Sequence, residues 1–89
     1  MGDRFQQGTV VEAMPLEDEM ILLHPETNQF CILNRTASAI WSQVAQPATT
    51  EEIAAAISAE FEGVAEADAL QDVEEALRQL VELQLVTRV

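Results

Sequence analysis

Residues 20–41 read MILLHPETNQFCILNRTASAIW, and the hydrophobic period changes inside them. Met20-Ile21-Leu22-Leu23 and Gln29 to Leu33 are short aliphatic-rich runs with the composition of strands, and Pro25-Glu26-Thr27-Asn28 between them has turn chemistry. Proline presets φ in that connection, and Asn28 tolerates the left-handed conformation a tight turn needs. Beyond Asn34 the spacing is helical: Ala37, Ile40, Trp41 and Val44 fall at i, i+3, i+4 and i+7, with Asn34 placed as the N-cap. Strand pairing ends and helix packing begins at Asn34.

Working outward toward the N-terminus, Thr9 to Met14 is predicted as a first strand and Pro15 to Asp18 as a turn, which completes a three-stranded meander. Residues 1–8, MGDRFQQG, are expected as a flexible tail ahead of one domain over 9–89. Toward the C-terminus, the first helix spans roughly Arg35 to Ala45 and stops before Pro47. Thr49 with Glu52 three residues on makes a capping box for a second helix, whose apolar stripe is Ile53, Ile57 and Phe61 and which Gly63 closes. Asp68, answered by Gln71, is predicted to cap a third helix with Leu70, Val73, Leu77, Leu80 and Val81 as its buried stripe. The fold class is α+β: an N-terminal three-stranded antiparallel sheet followed by three helices, winged helix-turn-helix-like.

Charge narrows the function. Sixteen acidic residues face four arginines and no lysine, a formal net charge of −12, which repels a phosphate backbone and argues against nucleic acid as a partner. Without lysine there is no Schiff base and no phosphate-binding loop, and three glycines build no Gly-rich cradle, so no nucleotide cofactor is expected. One cysteine and one histidine fall short of a metal-ligand set. MGDRFQQG lacks the apolar core of a secretory signal and no run has membrane-spanning length, so the expected compartment is a reducing cytoplasm, with no membrane partner.

Catalytic groups are scarce. Cys31 as a nucleophile would need a base and an electropositive setting, and the sole imidazole, His24, lies across a turn; a strand-lining thiol is the simpler assignment. Adjacent acids such as Glu51-Glu52 and Glu74-Glu75 point about 100° apart on a helix and form a solvated face. Trp41 is a core anchor. The third predicted strand is different, because an edge strand offers unpaired N–H and C=O groups and this one has no charge, proline or lysine to protect it. Either a helix covers that edge and the strand fills the core, or an extended peptide adds to it as a fourth strand by β-augmentation. Self-pairing into a homodimer through the same edge is a third option.

The stretch ILLHPETNQFCILNRTASAIW, together with DVEEALRQLVELQLV near the end, resembles the PqqD-like family, known more broadly as RiPP recognition elements. The likeness runs from about residue 9 to 87. It rests on Leu33-Asn34, Thr36 and Ile40-Trp41, and on Asp72-Val73 with Leu77, Leu80, Leu85 and Val86. Cys31 stands where relatives often carry a second aromatic, Arg35 where proline is frequent, and Ala37 and Gln84 where glycine is common.

The resemblance implies a non-catalytic domain that captures the leader of a ribosomally made precursor peptide and presents it to a modifying enzyme such as a leader peptidase, a cyclase or a radical enzyme. It implies a leader lying antiparallel along the third strand, in a groove walled by Gln29, Phe30, Cys31, Ile32 and Leu33 on one side. On the other side it implies the third-helix strip Leu70, Val73, Glu74 and Leu77. LNRTASAIW looks like the leader-binding proteins of lasso-peptide pathways, and LLHPE like the member of the pyrroloquinoline quinone pathway. A winged-helix transcription regulator, the alternative suggested by topology, would need a basic recognition helix, and the third helix carries Asp72, Glu74, Glu75 and Glu82 against Arg78.

Overall fold

A computed structural model describes residues 3–89 of the chain; Met1 and Gly2, part of the expected tail, lie outside them. Six strands and three helices follow in the order β1 (Arg4–Gln7), β2 (Glu12–Leu16), β3 (Glu19–His24), β4 (Gln29–Leu33), α1 (Arg35–Gln43), β5 (Ala48–Thr49), α2 (Thr50–Glu60), α3 (Glu66–Glu82) and β6 (Val86–Arg88). The antiparallel meander expected from the sequence is β2-β3-β4, with Leu22 opposite Cys31 and Met20 opposite Leu33. The three helices follow it, as expected.

The first strand is shifted. Thr9 and Val10 form a turn, and β2 runs through Pro15, which pairs with Met20 instead of ending the strand. Proline is tolerated there because β2 is an edge, where a missing N–H costs no ladder bond. The tight turn falls on Glu17, at φ 57°, and Asp18. Asn28 takes the left-handed conformation, φ 60°, in the β3–β4 turn.

A second antiparallel sheet, β5-β1-β6, is built from the two ends of the chain and the entrance to α2. Arg4–Gln7, expected as tail, thus form its central strand, and Phe5 is buried among the core residues. The Gln7 backbone N–H donates to the Val44 carbonyl and its side-chain amide to the Trp41 carbonyl, both at 2.8 Å.

Helix starts follow local chemistry in two cases of three. Asn34 Oδ1 accepts from the Ala37 amide at 2.8 Å, and the Thr49–Glu52 capping box is complete in both directions. The third helix begins two residues before the predicted Asp68 cap: Ala65 holds the N-cap position without a side-chain bond, and Glu66 and Asp68 lie in the first turn. Carboxylates in a first turn interact favourably with the positive end of the helix, which offsets part of the missing cap. Helix α1 ends at Gln43, short of Ala45, and α2 ends at Glu60, so Gly63, at φ 82°, turns the loop beyond it.

One core unites these elements: Leu22 and Leu33 from the inner face of the meander, Ile40, Trp41 and Val44 from α1, Ile53 and Ile57 from α2, and Val73, Leu77 and Leu80 from α3. The predicted helical stripes supply most of it. The inner face of the meander packs on α1, so β4 is held at the rim of the molecule and runs directly into α1.

Candidate functional site: the open edge of β4

In the order β2-β3-β4, the outer strands pair on one side only. β2 presents Glu12 and Pro15, two devices that blunt an edge. β4 presents Gln-Phe-Cys-Ile-Leu, with neither. Its side chains alternate: Cys31, half-buried, and Leu33, buried, face inward beside Leu22 and Met20, while Phe30 and Ile32 point away from the core and are 65% and 58% exposed. Along its free side, alternate residues direct N–H and C=O groups outward, ready for a further strand.

Where β4 ends, a cleft of about 390 Å³ opens between α1 and α3. Asn34, Thr36, Ala37 and Ile40 line one side, and Asp72, Glu75, Ala76 and Gln79 the other. Ser38 donates its hydroxyl to the Leu33 carbonyl at 3.3 Å and Asn34 caps α1, so the junction between strand edge and cleft is fixed by local hydrogen bonds.

Gln29 to Leu33 therefore share one edge, whereas the third-helix residues named from sequence lie elsewhere. Val73 and Leu77 are buried in the core and Leu70 is packed half-buried against it. Glu74 is exposed and lines a different cleft, of about 410 Å³, with Phe5, Thr50, Arg78 and Arg88 among its other walls. The α3 residues that face the cleft at the end of β4 are Asp72, Glu75, Ala76 and Gln79, a stripe at i, i+3, i+4 and i+7 that flanks the apolar stripe. That spacing is present in the sequence. It is masked by the stronger apolar period beside it, and only the packing of α1 on α3 reveals which polar stripe faces α1.

His24 and Glu52 are engaged in structural hydrogen bonds. His24 is buried at the end of β3, and its Nδ1 accepts from the amides of Glu26 and Thr27, both at 3.3 Å, which closes the hairpin turn. The Glu52 carboxylate accepts from the Thr49 amide at 2.8 Å; bonding to Thr49 holds its pKa below the usual carboxylate range. Burial pushes the Cys31 thiol up, the direction that disfavours the reactive thiolate. Among the described residues no group of three histidine, cysteine or acidic side chains is placed to hold a metal ion, and no helix is long and apolar enough to cross a membrane.

An α+β domain of winged helix-turn-helix type, with one unguarded sheet edge leading into an interhelical cleft, is the class these features define. The chain belongs to the PqqD family, described as coenzyme PQQ synthesis protein D, whose match spans residues 19–86. Among solved structures it is similar to TbiB1 in complex with the TbiA(beta) leader peptide, at 31% identity over 91% of this chain and 93% of that one, with a TM-score of 0.81. It shares its fold with a lasso peptide synthetase B1 complexed with the leader peptide, at 22% identity over 93% of this chain and 96% of that one, TM-score 0.79. No curated protein matches the chain significantly.

Proposed function

We propose that this protein is a non-catalytic chaperone of the cytoplasm that captures the leader of a ribosomally made precursor peptide and presents it to a modifying enzyme. The leader adds to β4 as a fourth strand of the meander. Main-chain bonds to the free edge supply affinity that tolerates sequence variation, and pockets beside the sheet supply choice. On one face of the added strand, leader side chains meet Phe30 and Ile32; on the other they meet Cys31 and the start of the cleft between α1 and α3. The observation that carries this reading is the unguarded edge of β4, in a chain whose other edge in that sheet carries Glu12 and Pro15.

Family membership supports the reading, and so does the leader-bound state of TbiB1, whose likeness covers nearly the whole of both chains. The LNRTASAIW segment favours a lasso-peptide pathway, with the pyrroloquinoline quinone pathway, named in the family's description, as the alternative. Presentation accelerates the partner's reaction by raising the effective concentration of substrate at its active site. The receiving enzyme is a leader peptidase, a cyclase or a radical enzyme.

Titration of the protein with the leader of the precursor encoded beside its gene tests the reading. Saturable binding that proline substitution at Phe30, Cys31 or Ile32 weakens, most at a position whose N–H points outward, is the expected result. Binding unchanged by all three substitutions in folded variants would contradict it.

A further inference from the structure

The register of the meander gathers a second feature, separate from the edge. Met14 lies opposite Ile21, and Ile21 opposite Ile32; Glu12 lies opposite Leu23, and Leu23 opposite Phe30. Directly opposed residues share a face, so the outer face of the sheet carries Met14, Leu16, Ile21, Leu23, Phe30 and Ile32. Leu16 and Met14 are 53% and 57% exposed, and Ile21 and Leu23 between the flanking strands are half-buried. The four most exposed of these side chains present on the order of 400 Å² of apolar-residue surface, the size at which a patch on a soluble monomer is commonly functional.

The surroundings of this face specify what covers it. Glu12 and Glu19 stand on the same face by register, Glu17 and Asp18 form the turn at one end, and Glu26 lies in the turn at the other. Residues 12–34 contain no arginine or lysine. A second copy would oppose one acidic rim to another, and like charges across an interface are unfavourable. We infer that the outer face of the β2-β3-β4 sheet is a docking surface for a protein partner that is apolar at its centre and basic at its rim.

This inference rests on the proposed function for the identity of that partner, the modifying enzyme that receives the leader. It centres enzyme docking on the outer face of β2 and β3 and leader capture on the β4 edge; Phe30 and Ile32, which leader side chains also meet, lie where the two surfaces join. Met14 and Leu16, on β2, lie at the far side of the sheet from the edge that takes the peptide.

The test uses the full-length protein and the modifying enzyme encoded beside its gene. Unlabelled enzyme is added to isotope-labelled protein, and affinity is measured for the wild type and for the double variant Met14→Glu, Leu16→Glu. Amide shifts in the wild type should map to β2 and the outer face of β3, the double variant should lose at least tenfold in enzyme affinity, and wild-type affinity should fall as salt rises. Leader affinity of the same variant should stay within about twofold of wild type. No binding, equal affinity for both proteins, or shifts confined to the helices would overturn the inference. So would concentration-dependent self-association of the wild type that the double variant abolishes. The wild-type shift map decides the matter even if the double variant does not fold, and loss of leader binding with docking intact would fault the edge reading alone.

Discussion

Cys31 lies directly opposite Leu22 in the β3–β4 ladder, and β4 has no strand partner on its other side. The thiol is half-buried and its pKa is pushed up by burial, so it reacts slowly with alkylating reagents compared with a free cysteine. A leader strand laid along β4 covers it further. Saturating leader should slow iodoacetamide labelling of Cys31 several-fold, measured by intact mass against time. An unchanged rate would place the peptide away from this strand.

Gln84 sits at φ 62°, just past the end of α3. The Leu85 amide donates to the Leu80 carbonyl at 2.9 Å and the Gln84 amide to the Val81 carbonyl at 3.0 Å, the two bonds of a Schellman cap, whose left-handed position favours glycine. Gln84→Gly should therefore stabilise the fold by about 0.5–1 kcal/mol, the relief of left-handed strain less the entropy glycine adds to the unfolded chain. A rise of roughly 3–6 °C in melting temperature is expected for a domain of this size. Gln84→Ala should give no such gain, and equal effects of the two would contradict the cap geometry.

Glu52 gives the capping box a pH dependence. Bonding to Thr49 lowers its folded-state pKa, so its contribution is present above the unfolded pKa and is lost as pH falls through the folded one. Urea melts across the acid side of the carboxylate range should show wild type losing more stability than Glu52→Gln, which keeps an acceptor for the Thr49 amide but has no charge to neutralise. Identical slopes would assign the pH dependence to other carboxylates. Thr49→Ala, which removes the reciprocal bond, should cost about 1 kcal/mol at neutral pH.

The central meander and all three helices are legible in the sequence because their signals are local. Asn34 and Thr49 announce helix starts within four residues, and the runs at Met20 and Gln29 flank a turn whose Asn28 tolerates positive φ. The sheet β5-β1-β6 is not legible: its strands are two to four residues long and drawn from distant parts of the chain, and Phe5 alone marks β1 as a segment with a buried side. Of the candidate site, the β4 edge can be read from its lack of charge and proline. The α3 wall cannot, because periodicity identifies the buried stripe of Val73 and Leu77 but does not say which flanking stripe, Glu74 or Asp72-Ala76-Gln79, turns toward α1.

Hydrogen exchange of the β4 amides, followed residue by residue with and without the leader peptide, tests β-augmentation most directly. A strand added to the free edge ties up the outward N–H groups of alternate residues between Gln29 and Leu33, while those already bonded to β3 change less. The predicted result is slowing of at least tenfold at those alternate positions under saturating leader. Saturable binding that protects amides in α2 or in the β5-β1-β6 sheet, and leaves β4 exchanging as in the free protein, would contradict the account.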